Sequence, residues 1–217
     1  MKHIYLLIVG IFLLSACNNE SPPEQKKEFK IREEKNSSTK APSSATPLSI
    51  IPTKIISKIP IEYTFTFEDL EKHSSVIKMK EDVYDFTNIQ QPIVMVTLFS
   101  TWCPPCRGQI PHLSNLQQKF KKELFILGAL VHDDIKEEKL KKFIISEKAL
   151  FYISNNQQEN LKFSDMITPK LRLGKNFPMP LMILFFHGKY FTHYEGSMPE
   201  EMIQSDIEQL IEKMKKG

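Results

Sequence analysis

Residues 93–106 read Ile-Val-Met-Val-Thr-Leu-Phe-Ser-Thr-Trp-Cys-Pro-Pro-Cys. The first seven are almost continuously apolar and β-branched, the pattern of a central strand covered on both faces. Beyond the second cysteine, Ile110, Leu113, Leu116 and Phe120 fall on one side of a helix, with Pro111 expected to kink it. Cys103 and Cys106 therefore stand between a buried strand and the start of a helix. There the free backbone amides and the helix dipole favour an anion, which lowers the pKa of the first thiol. Two intervening residues place the second sulfur one helical turn later, close enough to close a small disulfide ring.

Working outward, Tyr63, Phe65 and Phe67 alternate with Glu62, Thr64 and Thr66 in the period of a half-buried strand that begins near Ile61. A second extended stretch, residues 76–79, is expected to pair with it as an N-terminal hairpin. Downstream, residues 124–131 form a second buried strand, and Leu140, Phe143 and Ile144 mark the inner face of a helix ending near Ala149. Residues 181–186, the turn His187-Gly188-Lys189 and residues 190–194 make a hairpin, after which Ile203, Ile207, Leu210 and Met214 line a last helix. The predicted fold class is α/β, a central mixed sheet flanked by helices on both faces, with the N-terminal hairpin as an addition.

The chain has 217 residues, 41% of them hydrophobic and 15 of them Phe, enough to build a core without covalent staples. With a net charge of +3 and Lys spread among Glu, nothing singles out a nucleic-acid surface, and no nucleic-acid partner is expected. Residues 1–16 read as a secretory signal: Lys2 and His3, an apolar run from Ile4 to Leu14, then small residues. That run is short for a bilayer crossing, which needs about 20 apolar residues. Leu14-Ser15-Ala16-Cys17 resembles the bacterial lipoprotein signal box, which implies cleavage before Cys17 and lipidation of that cysteine. An ordinary cleaved signal followed by a chance cysteine is the alternative. Residues 17–60 are rich in Ser, Pro, Lys, Glu and Thr and lack apolar periodicity, so the lipidated Cys17 is expected to lead into a flexible tether. One domain is expected over 61–217.

From about residue 61 onward the sequence resembles the thioredoxin superfamily, and within it the TlpA-like extracytoplasmic thiol-disulfide reductases that include cytochrome c maturation proteins. The resemblance is carried by Trp102-Cys103-Pro104-Pro105-Cys106, Pro180, Gly188 and Gly196. It implies that Cys103 attacks, that Cys106 resolves, and that the two form a redox-active disulfide. It further implies that Pro180 is a cis-proline shaping a substrate groove, that Met179 offers backbone groups to an extended substrate, and that Trp102 and Pro104 flank the reactive sulfur. No cofactor is implied. The implied partners are exported proteins with disulfides, apocytochrome c among the candidates, and a membrane thiol protein as electron donor. The implied location is the bacterial cell envelope, with the domain lipid-anchored and facing the periplasm or extracytoplasmic space. Two positions depart from the family: Thr97 where cytoplasmic thioredoxins carry a buried Asp, and Gln109 where several of the reductases carry Glu. Neither accepts a proton as a carboxylate does.

Other readings of the same residues remain open. An oxidase or isomerase would use the same two cysteines. A copper-binding chaperone of this fold would recruit His193, although that residue falls in mid-strand, where a satisfied surface histidine is the simpler reading. Half a zinc site needs two further ligands, and no second cysteine pair exists. The Met residues, Met179, Met182 and Met198 among them, fit gap-filling in the core. His132, Asp133 and Asp134 end the strand after the cysteine helix, where they either line the rim of the site or are solvated.

Overall fold

The computed structural model describes residues 62–216. The signal segment 1–16, Cys17 and the tether to residue 60 lie outside the described residues.

Three antiparallel strands open the domain: β1 (Glu62–Glu68), β2 (Ser74–Lys80) and β3 (Val83–Phe86). There follow β4 (Ile93–Phe99), α1 (Pro104–Lys119), β5 (Leu124–Leu130), α2 (Glu137–Ser146), β6 (Tyr152–Ser154) and α3 (Gln157–Lys170). The chain closes with β7 (Leu181–Phe186), β8 (Lys189–Glu195) and α4 (Glu200–Lys216). All eight strands join one mixed sheet in the order β1-β2-β3-β8-β7-β4-β5-β6, with β4, β5 and β6 parallel and the other pairings antiparallel.

Alternation along β4 explains why every one of its residues is buried. Val94, Val96 and Leu98 face a core shared with Phe163 and Ile167 of α3, while Ile93 and Met95 face one shared with Leu113 and Leu116 of α1 and Ile203, Ile207 and Leu210 of α4. Helices thus cover both faces, as the periodicity requires. The N-terminal hairpin belongs to the α3 side, where Phe65 and Phe67 meet the ring of Phe163 edge-on at centroid distances of 5.3 and 5.5 Å. Truncating a buried ring of this kind costs about 3–5 kcal/mol. The two edge strands of the sheet also approach each other: the N–H of Asn155 donates to the Glu68 carbonyl at 3.0 Å, and the N–H of Glu68 to Ser154 Oγ at 3.2 Å. Those bonds satisfy edge groups that would otherwise stay open.

Several expectations shift. The hairpin gains a third strand, β3, which links it to β8 through the single pair Val83 and Lys189. The turn between β7 and β8 has two residues, His187 at φ 47° and Gly188 at φ 72°, because Lys189 already pairs with Phe186. Helix α2 stops at Ser146, and the chain reaches Ala149 through a closing turn in which the N–H of Ala149 bonds the Ile144 carbonyl and that of Lys148 bonds the Ile145 carbonyl. Lys148 takes the left-handed position there, φ 52°. Pro111 lies inside α1, which continues through it to Lys119.

Candidate active site

Strand β4 delivers the chain to the C-terminal edge of the parallel strands, where Ser100 and Thr101 turn it into α1. Cys103 is the N-cap of that helix. Pro104 and Pro105 occupy the first two helical positions and have no N–H to offer, so the first amide pointing back is that of Cys106, which donates to Cys103 Sγ at 3.3 Å. The helix start is thereby committed to one atom, the Cys103 sulfur. No acidic residue stands in the first turn to oppose an anion there. Cys103 and Cys106 are joined in a disulfide with Cα atoms 5.3 Å apart. Their residual exposures are 4% and 1%, so the edge that a reagent meets first belongs to Cys103.

Three segments frame this turn. Opposite lies the Met179–Pro180 peptide, which is cis, with the Met179 carbonyl oxygen 3.9 Å from Cys103 Sγ. On one flank, the loop after β8 reaches α1: Ser197 Oγ donates to the Pro105 carbonyl, the N–H of Met198 donates to Gln109 Oε1, and Gly196 N–H donates to the Pro180 carbonyl. On the other flank, the chain after β5 holds the turn from below. Trp102 Nε1 donates to the His132 carbonyl at 2.9 Å, Ser100 Oγ donates to the Val131 carbonyl at 2.6 Å, and Asp133 Oδ2 accepts the N–H of Thr101.

The sequence-derived residues Trp102, Cys103, Pro104, Cys106, Met179 and Pro180 therefore come together at one place. Trp102 is 59% exposed and lines a shallow groove with His132, Lys175, Asn176, Phe177 and Met179. His193 lies elsewhere: its Nδ1 bonds the Tyr190 hydroxyl at 2.7 Å, its Nε2 lies 3.7 Å from Glu195, and it lines a separate cavity with Asp82, Tyr84 and Lys170. The reading of Asp133 as solvated needs correction, since it is only 5% exposed and both carboxylate oxygens accept backbone N–H groups, from Thr101 and Ile135. Nothing in a pair of aspartates after a strand distinguishes the buried one from its neighbour, so the sequence left this role hidden. Thr97 and Gln109 are buried, and neither Thr97 Oγ1 nor Gln109 Nε2 has a hydrogen-bond partner among the described residues. His73 gathers with Asp69 and Glu71 at the exposed turn between β1 and β2, where Asp69 Oδ1 is taken up by the N–H groups of Glu71 and His73.

Residues 75–177 match the thioredoxin family model. The described residues have a thioredoxin-like fold. It is 25% identical over 148 residues to the thiol-disulfide oxidoreductase ResA of Halalkalibacterium halodurans, covering 66% of this chain and 72% of that one. The fold is shared with a thiol:disulfide interchange protein of the thioredoxin family from Chlorobium tepidum, at a TM-score of 0.54 and 14% identity, over 70% of this chain and 94% of the other. The β1–β2 hairpin is part of the one mixed sheet, as anticipated.

Proposed function

We propose that the domain is a thiol-disulfide oxidoreductase that reduces disulfides in exported proteins through Cys103 and Cys106. The observation that carries this reading is the disulfide itself, set at a helix start whose first available amide points at Cys103 and faced by the Met179–Pro180 cis peptide.

In the reduced protein, Cys103 as thiolate attacks one sulfur of a client disulfide, and the other client sulfur leaves as thiolate. Cys106 then loses its proton and attacks Cys103. The second client thiolate departs, so the client gains two electrons and the pair becomes the disulfide. The Met179 carbonyl and the exposed Trp102 lie where a client chain would lie along the site. A separate membrane thiol protein returns the two electrons. The Leu14-Ser15-Ala16-Cys17 motif supports a lipid anchor at Cys17, holding the domain at the bacterial envelope and facing outward, and the client set includes apocytochrome c among candidates. Among the described residues no helix is long and apolar enough to cross a membrane.

Replacing Cys106 by Ala in cells removes the resolving thiol, so clients are expected to stay covalently attached to Cys103 and be recovered under non-reducing conditions. Failure to recover any adduct, with the variant folded and exported, contradicts the exchange reading. Equilibration of the wild-type pair with glutathione sets the direction: a strongly oxidising pair contradicts the reductase assignment in favour of an oxidase or isomerase.

A further inference from the structure

We infer that Asp133 is a positioning residue for the Cys103 thiolate, acting through the backbone N–H of Thr101. The inference rests on the exchange reading and adds a residue to it. Asp133 belongs to the loop after β5, far from the cysteines in sequence, yet the residue is 95% withdrawn from solvent and its carboxylate reaches the turn that carries them. One oxygen accepts the Thr101 amide, two residues ahead of Cys103, and the other accepts the Ile135 amide of its own loop. The backbone carbonyl of Asp133 is itself held by Gln157 Nε2, at the first turn of α3. A buried carboxylate is costly unless its oxygens are bonded, and here two amides supply those bonds, so the geometry is fixed from both sides.

The consequence runs along four residues. Thr101 is held by Asp133, Trp102 by the His132 carbonyl, and Ser100 by Val131, while the Cys103 N–H closes the turn onto the Ser100 carbonyl at 3.3 Å. The relation between Cys103 Sγ and the Cys106 amide depends on that turn. With both prolines lacking an N–H, the Cys106 amide is the first-turn donor that stabilises the sulfur as an anion, so loosening the turn forfeits stabilisation that no neighbouring amide replaces. The ionisable groups nearby are His132 and Lys175 on the groove, and Arg107, which is paired with Glu147 at 2.6 Å.

A brace and a bare charge have opposite signatures. If Asp133 acts by holding Thr101, Asp133→Ala raises the pH at which reduced Cys103 is alkylated by about half a unit, roughly a threefold loss of thiolate near neutral pH. Asp133→Asn keeps one oxygen acceptor, for the Thr101 amide, and forfeits the bond to the Ile135 amide, so its shift is upward and smaller than that of Asp133→Ala. If Asp133 acted only as a negative charge, both variants would lower the titration of Cys103 equally, and that result overturns the inference. Should Asp133→Ala fail to fold, amide hydrogen exchange on the wild-type protein decides instead: Thr101 N–H is expected to be protected at the level of the core strands, and rapid exchange there contradicts the brace. Loss of client capture by Cys106→Ala would remove the exchange reading while leaving Thr101 protection untouched, so the two failures are separable.

Discussion

Thr97 and Gln109 show how a site can be specified by what a residue lacks. Both sit on elements that meet at the cysteines, β4 and α1, both are buried, and each has a polar atom with no partner among the described residues. A buried hydroxyl with nothing to bond forfeits its hydration without return. Thr97→Val replaces that hydroxyl by a methyl of similar shape, and the variant is expected to be more stable by about 1 kcal/mol in urea unfolding. A loss of stability would show that Thr97 Oγ1 is engaged in solution. Neither residue ionises as Asp or Glu would, so in this chain the proton of Cys106 has no carboxylate at these two positions to receive it. The two positions were legible in the sequence through the family resemblance, which gives meaning to their spacing from the cysteines. Asp133 was not, because its burial depends on where the chain after β5 crosses the turn after β4, and that crossing has no local signature.

Among the elements, those with a single strong period were legible and those with mixed faces were not. The apolar run of β4, the β7–β8 hairpin with Gly188 and the α4 stripe of Ile203, Ile207 and Leu210 each declare themselves in the sequence. Helix α3 buries Asn160, Ser164 and Thr168 beside Phe163 and Ile167, so its inner face is half polar and its apolar period is weak. The side chains of Asn160 and Thr168 are satisfied internally: Asn160 Nδ2 donates to the Leu130 and Ser154 carbonyls, its Oδ1 accepts from Ser154 Oγ, and Thr168 Oγ1 donates to the Ser164 backbone carbonyl. Strands β3 and β6, of four and three residues, are too short to show alternation. The attachment of β3 makes a sharp test of the turn. Gly188 has φ 72°, and a Cβ placed there would lie 2.4 Å from the Tyr84 carbonyl oxygen, while its own carbonyl accepts the Tyr84 N–H at 2.7 Å. Gly188→Ala is therefore expected to destabilise the domain by about 2 kcal/mol, read as a lower urea midpoint. An unchanged midpoint would mean that β3 is not packed against the hairpin as described.

Across the whole molecule, three tyrosines tie distant parts together and give the fold an alkaline limit. Tyr84 of β3 packs on Phe185 of β7 at 4.6 Å between centroids, and burial, with a smaller push from the charge of Asp82, raises its pKa to about 12 from the ordinary 10.0. Tyr152 of β6 places its hydroxyl 2.7 Å from the His73 carbonyl and 3.0 Å from that of Phe67, and Tyr194 of β8 donates to Asp206 of α4 at 2.6 Å. Burial raises the pKa of both, assisted by the charge of Asp69 at Tyr152 and by the bond to Asp206 at Tyr194. Because each native phenol holds its proton more tightly than the unfolded chain does, the stability linked to it is fully present below pH 10 and is withdrawn above it, for Tyr84 as pH rises through about 12. Urea midpoints are expected to fall across that window, and less steeply in Tyr84→Phe. A flat profile would place Tyr84 in water.

All of this serves one arrangement at the edge of the sheet, and the reactivity of the reduced cysteines tests it most directly. Alkylation of the reduced protein over a range of pH, with each site resolved by mass, is expected to find Cys103 modified first and at a pH below that of a free cysteine. Cys106 should be protected until the domain unfolds. Equal reaction of the two thiols, or an inert Cys103, would contradict the account.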